Sequence, residues 1–303
     1  FISGPTAIGK SELALNIAKE HSGEIINADS MQVYADLNIL TARPSDVDNK
    51  IAPHHLYGHI KSDYRYNVDK WCNETMSIIN KNNKKNILSI IVGGTGFYIE
   101  TLLNGIADIP EVSEEYKQQS NKLLLELGLE KFYRLVYDID NISCEKTLKN
   151  DSQRLKRIWE VYKSTGRTLS EWITTNHKNY FNDSNYLIYL FIPDREEIYK
   201  KADTRFLKMI DSGAIDEVKK LLLLNLDSSL PVMKAHGVPE ISKYLSGSLN
   251  LKECIAKGQQ VTRNYVKRQL TWWNSSNLNN LTIFKLFPSN LDSKSYNFLK
   301  KIN

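Results

Sequence analysis

Apolar residues fall into two textures along this chain. In the first, short runs with little alternation end in small or acidic residues. Phe1-Ile2-Ser3 runs into Gly4, Glu24-Ile25-Ile26-Asn27-Ala28 into Asp29, and Ile87-Leu88-Ser89-Ile90-Ile91-Val92 into Gly93-Gly94. A run that is apolar throughout fits a parallel strand covered on both faces. A fourth run, Tyr186 to Ile192, stops at Pro193 and is followed by a helical pattern from Asp194 to Met209. In the second texture apolar positions recur every three or four residues, first over Ser11 to His21. Strands separated by such stretches predict an open α/β sheet that binds ligands at the carboxyl ends of its strands.

Between about Asp108 and Asn182 strand-like runs disappear, and Lys, Glu, Leu and Tyr recur at helical spacing. We read this stretch, 108–182, as a helical insertion in a core formed by 1–107 and 183–303. From Ala202 the pattern is helical again through about Asn274. The tail after Leu278 is polar with scattered apolar residues and supports no assignment. The chain opens on Phe1 rather than methionine, so its first strand is expected to be cut short.

Composition changes this picture little. Of 303 residues 41% are hydrophobic and 25% charged, a soluble profile. No apolar run approaches the roughly 20 residues that span a bilayer, so no membrane partner is expected. Cys72, Cys144 and Cys254 are odd in number, far apart and in no metal-binding spacing, which suits a reducing, cytoplasmic setting. A formal net charge of +5 is too mild to imply nucleic acid by itself. A monomer is the expectation.

The chemistry begins at Gly4-Pro5-Thr6-Ala7-Ile8-Gly9-Lys10-Ser11, which fits G-x-x-x-x-G-K-[ST] between a strand and an amphipathic helix. Glycines let the backbone curl so that its N–H groups face phosphate oxygens. The helix N-terminus adds a favourable dipole, Lys10 a point charge, and Ser11 a hydroxyl suited to Mg²⁺. The expected fold is therefore α/β, with a P-loop NTPase-like parallel sheet flanked by helices. The loop specifies a diphosphate or triphosphate and leaves the reaction open. An ATPase would carry an Asp at the end of a later hydrophobic strand, but the strongest strand here ends in Gly93-Gly94-Thr95. Asp29 closes the second strand and suits a general base, a magnesium-linked carboxylate or a helix cap. The segment Gly93 to Gly96 reads as built for close approach of a flat or narrow substrate. A small-molecule kinase and a prenyltransferase of free adenine nucleotides share these features.

Further ordered segments narrow the choice. They are Asn27 to Tyr34, Thr41-Ala42-Arg43-Pro44, Pro53-His54-His55-Leu56, Val92 to Tyr98, Asn150 to Arg157 with Glu160-Val161, Thr165 to Ser170, and Arg263 to Trp272. In this order, over residues 1 to about 274, the set resembles the bacterial tRNA dimethylallyltransferases. The resemblance implies transfer of a dimethylallyl group from its diphosphate to N6 of the adenosine 3′ of the anticodon, with Mg²⁺ and without ATP. It implies Asp29 as general base and Thr95 as its partner in the reaction channel. Gly4, Thr6, Ala7, Ile8, Gly9, Lys10, Ser11 and Arg205 would hold the diphosphate, with Ser11 on Mg²⁺. Contacts to tRNA would come from Asp29, Ser30, Met31, Gln32, Thr95, Lys117, Gln153, Arg154, Leu155, Lys156, Arg157, Lys234, His236 and Gly237.

Three places depart from the family's usual pattern. Tyr57-Gly58 replaces Ile-Asp, Lys117 replaces Arg, and His236 replaces an aliphatic residue. The first two are expected to leave the chemistry untouched. On residues alone, the helix after Asp151 puts Leu155, Ile158, Trp159 and Tyr162 on one face, with Gln153 and Arg157 opposite. That suits phosphate binding or an ordinary solvated face. The aromatics beside Arg263, Lys267 and Arg268 read as core rather than stacking platforms.

Overall fold

The computed structural model describes residues 1–175, 177–181, 185–276 and 278–291. The chain divides into two compact units, Phe1–Leu103 with Asn182–Asn303, and Asn104–Phe181. In chain order the first unit begins with β1 (Ile2–Ser3), α1 (Lys10–His21), β2 (Glu24–Asn27), α2 (Asp46–Ile51), β3 (His54–His55), α3 (Val68–Asn83), β4 (Ser89–Gly93) and α4 (Gly96–Asn104). The second unit holds β5 (Ile106–Ala107), α5 (Glu114–Ile139), α6 (Asn141–Glu145), α7 (Ser152–Thr165), α8 (Leu169–Thr175) and β6 (His177–Lys178). The chain then returns with β7 (Ile188–Phe191), α9 (Arg195–Asp211), α10 (Ala214–Leu222), a 3₁₀ turn at Pro231–Lys234, α11 (Val238–Leu245), α12 (Leu251–Ser275) and β8 (Leu281–Phe284).

The six main strands form one parallel sheet in the order β3-β2-β4-β1-β7-β8. Ile90, Ile91 and Val92 on β4 are all buried, as a strand covered on both faces requires. On α1, Leu13, Ala14, Ile17 and Ala18 supply the stripe that packs into this core. Helix starts follow local chemistry. Asp194, just after Pro193, accepts from the Glu196 and Glu197 N–H groups and opens α9, while Asn250 and Glu253 form a capping box on α12. Because β2, β4 and β1 are adjacent, the segments leaving their carboxyl ends meet at one place, and the site follows from that.

Two strands of the six-stranded sheet escape the sequence reading, as do the short β5 and β6, which pair antiparallel in the second unit. β3 is a pair of histidines with no apolar pattern, and β8 lies in the tail that supported no assignment, pairing with β7 from Ile188↔Leu281 to Phe191↔Phe284. The sequence-read boundary at 182/183 and the tail beyond 291 lie outside the described residues. The continuous helical reading from Ala202 to Asn274 is broken into four α-helices, at 212–213, at 223–237 where the 3₁₀ turn lies, and at 246–250.

The second unit is mainly helical. Asp151 accepts from the Arg154 N–H to start α7, and Gly166 ends it in the left-handed conformation. Phe132 and Val136 of α5 pack on Leu155, Ile158 and Trp159 of α7. α5 is broken by Gly128 at φ 72°. Among the described residues no helix is long and apolar enough to cross a membrane.

Candidate active site

The phosphate loop is shaped by its neighbours. Gly4 has φ 141°, and a Cβ there would lie 2.3 Å from the Phe191 carbonyl oxygen on β7, so only glycine fits. The first turn of α1 has no side-chain cap, which leaves its N–H groups open to an anion. The Thr6 N–H donates to Gln269 Oε1 (2.9 Å), and Gln269 Nε2 donates to the Gly94 carbonyl (2.9 Å). This buried amide on α12 therefore ties the loop to the end of β4. Lys10 Nζ donates to the Pro5 carbonyl at 2.6 Å, and Arg205 Nη1 to Thr6 Oγ1 at 3.2 Å.

Asp29 sits just beyond β2 on a backbone held by Asn27. Asn27 Oδ1 accepts the Asp29 N–H (2.8 Å), and Asn27 Nδ2 donates to the Asp29 and Leu56 carbonyls (2.9 and 3.0 Å). Asp29 Oδ1 accepts the Met31 N–H (2.9 Å), while Oδ2 has no hydrogen bond among the described residues. The carboxylate is the electrostatic centre of the site. Burial pulls Lys10 down to about 7, Arg205 lowers it further and Asp29 opposes both. Burial also lowers Arg205, again against Asp29. His236 falls to about 4 through burial and then Arg268, so it is neutral at neutral pH. Burial raises the Tyr57 and Tyr265 phenols, and Asp29 raises them further.

These groups wall one cavity of about 910 Å³, lined by loop residues 6–11, Asp29 to Gln32, Arg205, Lys234 and His236. Thr95 does not line it. Its Oγ1 accepts the Ser30 N–H (3.1 Å) and pairs with the Tyr265 phenol, so it fixes two cavity walls from behind.

Several expectations are corrected here. Leu155 is fully buried in the α5–α7 core, so its side chain has no surface to offer RNA. Gly237 is buried with φ 97°, and a Cβ there would meet Leu40 and Phe206, so its smallness serves packing. A Cβ on Gly93 would lie 2.1 Å from the Ala28 carbonyl, and one on Gly94 would lie 2.2 Å from Gln269. Both glycines line the cavity, and their lack of a Cβ also makes room for the chain's own Ala28 carbonyl and the Gln269 amide. Tyr265 and Tyr57 line the cavity, so one is more than core and the other does touch the chemistry's surroundings.

The remaining basic residues divide by environment. Lys234 is exposed at the cavity. In the second unit Lys117 pairs with Glu114 (3.3 Å), Arg154 with Asp151 (3.4 Å), and Lys156 donates to Asn121 (2.6 Å). Gln153 is exposed, and Arg157 is half-buried, its pKa lowered by burial against the pull of Glu160. Arg263 is spent on both carboxylate oxygens of Asp203 at 2.7 Å. Sequence reasoning missed Gln269, although a polar residue in register with buried Val266 and Trp273 on α12 was the available signal.

A sequence pattern described as IPP transferase matches residues 32–276, and one described as isopentenyl transferase matches residues 1–52. The chain belongs to the IPP transferase family. Members of this family similar to it include a tRNA dimethylallyltransferase of Wolbachia pipientis subsp. Culex pipiens, 42% identical over 274 residues, covering 90% of this chain and 91% of that protein. Another, from Rhizobium etli, is 38% identical and covers 90% and 92%. The family fold is also shared. A crystal structure of a tRNA isopentenylpyrophosphate transferase from Bacillus halodurans is similar at a TM-score of 0.69 and 26% identity, covering 99% of this chain and 95% of that one. A eukaryotic dimethylallyltransferase acting on tRNA is similar at a TM-score of 0.80 and 25% identity, covering 98% of this chain and 76% of that one.

Proposed function

We propose that this IPP transferase moves a dimethylallyl group from dimethylallyl diphosphate to N6 of the adenosine 3′ of the anticodon in tRNA. The observation that carries this reading is one cavity lined by a carboxylate, Asp29, together with Lys10 of the phosphate loop and Arg205 of α9. The exocyclic amine of adenine is a weak nucleophile because its lone pair is delocalised into the ring. As its new bond to C1 of the prenyl group forms, Asp29 Oδ2 takes the N6 proton. The C1–O bond breaks with its electron pair leaving on the diphosphate. Loop N–H groups, Lys10 and Arg205 stabilise the charge that grows there, and such preorganised donors are usually the largest catalytic contribution. Thr95 acts from behind, holding Ser30 and Tyr265.

Mg²⁺ fits the residues present. It binds through one or two protein oxygens and substrate phosphates rather than through a protein cage. The Ser11 hydroxyl is exposed beside the loop with no hydrogen bond among the described residues, and these hold no metal-binding cluster of His, Cys, Asp and Glu. When bound, the ion would neutralise charge on the leaving diphosphate. Gln153, Arg154, Lys156 and Arg157 on α7, Lys117 on α5, and Lys234 by the cavity supply contacts to RNA. A base stacked in an anticodon loop must be flipped out to meet Asp29, at a cost of about a few kcal/mol. The protein works as a monomer in the cytoplasm.

Asp29→Asn tests this assignment. The change keeps shape and removes the base, so kcat should fall by at least about 10²-fold, with dimethylallyl diphosphate affinity little changed. Normal kcat with altered Mg²⁺ dependence would make Asp29 a metal-linked residue instead.

A further inference from the structure

The stretch between Leu37 and Arg43 carries no catalytic group, yet a charge from a distant helix holds it. Glu217 on α10 accepts three consecutive backbone N–H groups. Oε1 takes those of Asn38 (2.6 Å) and Ile39 (2.7 Å), and Oε2 that of Leu40 (2.9 Å). Successive N–H groups converging on one carboxylate form an anion nest, and such charge-assisted bonds are about twice as strong as neutral ones. The turn is closed by Ala42 N–H to the Ile39 carbonyl (3.0 Å) and Arg43 N–H to the Asn38 carbonyl (3.1 Å). Ala42 is left at φ 50°, a conformation a non-glycine residue rarely adopts without support.

What this turn delivers is two carbonyls. Gln32 Nε2 donates to the Thr41 carbonyl at 2.7 Å and to the Ala42 carbonyl at 3.2 Å. Two carbonyl acceptors side by side admit only the NH₂ end of the amide, so its orientation is set by the network. Both amide hydrogens are thereby used, and the polar atom left to Gln32, a cavity-lining residue, is its acceptor Oε1.

We propose that Glu217 is a positioning residue for the RNA substrate. It sets the turn that orients the Gln32 amide, so that Gln32 offers only an acceptor and selects a base edge carrying an N–H donor. The effect is confined to the acceptor substrate, because no bond of this relay reaches the phosphate loop. The inference rests on tRNA being that substrate, and wild-type turnover on tRNA in the same assay separates its failure from failure of that reading.

The test is a double-mutant cycle of Glu217→Gln and Gln32→Ala, with KM measured separately for tRNA and for dimethylallyl diphosphate and folding followed by thermal melting. A glutamine at 217 keeps the size but turns an N–H₂ toward at least one backbone N–H. The tRNA KM should rise about tenfold, while the diphosphate KM stays within about twofold. In the Gln32→Ala background the same substitution should add less than about threefold, because its target is already gone. If Glu217→Gln melts below the assay temperature, Glu217→Asp takes its place in the cycle. Equal rises in both KM values, or effects of the two substitutions that simply multiply, would overturn the proposal.

Discussion

Replacing Lys10 by arginine should abolish a pH dependence that the wild-type protein owes to one buried amine. Burial and the nearby Arg205 bring Lys10 to about 7, against the pull of Asp29. The amine is therefore half-neutral near neutral pH until a diphosphate arrives. Binding that needs the ammonium must take up a proton above this pKa, so affinity falls as pH rises through 7 and is unaffected well below it. If only the charged form holds the ligand, the loss between pH 6 and pH 8.5 is roughly 30-fold. Arginine stays charged over this range, so its affinity carries no such step. The assay is calorimetric titration of dimethylallyl diphosphate at fixed Mg²⁺ and without tRNA, so that no turnover occurs. The ligand's own phosphate titration is common to both proteins and cancels in the ratio of their dissociation constants. That ratio should climb with pH and level off below about 6.5. A flat ratio would refute the reasoning, because Lys10 would then be fully charged in the free protein or absent from the diphosphate site.

Replacing Arg154 and Arg157 together with alanine should weaken tRNA binding and flatten its salt dependence, by roughly 0.7–0.9 in log–log slope for each phosphate no longer neutralised. Titrations at several salt concentrations read this, and an unchanged slope would return that face of α7 to simple solvation. Leu155→Ala, between these two arginines in sequence but fully buried among Phe132, Val136 and Ile158, should instead cost about 2–5 kcal/mol of stability in a denaturant melt. The residual folded protein should keep its salt slope, since the side chain has no surface.

The main sheet was legible because each of its apolar strands carries its own pattern, and the phosphate loop because its chemistry is local. β3 and β8 were not, since two histidines and a four-residue run in a polar tail become strands only when β2 and β7 offer paired edges. The site divides in the same way. Asp29, Lys10 and Ser11 announce themselves by their place at strand ends and in the loop. Gln269 and Glu217 act on groups 175 to 263 residues away in sequence, and no spacing rule reaches that far. The glycines at the end of β4 were legible only in part. They line the cavity, as their pattern suggested, but nothing local showed that they also make room for the Ala28 carbonyl and the Gln269 amide. Tyr57 reads in the sequence as a departure of little consequence, although it stands on the cavity wall with His236.

The most direct test offers tRNA and free adenosine monophosphate together to the purified protein, with Mg²⁺, labelled dimethylallyl diphosphate and no ATP. Label should appear on the tRNA alone, with one diphosphate released per prenyl group transferred. Preferential label on the nucleotide would replace tRNA by the small acceptor. No label on either, with ATP turned over once it is supplied with a metabolite, would contradict the transferase reading itself.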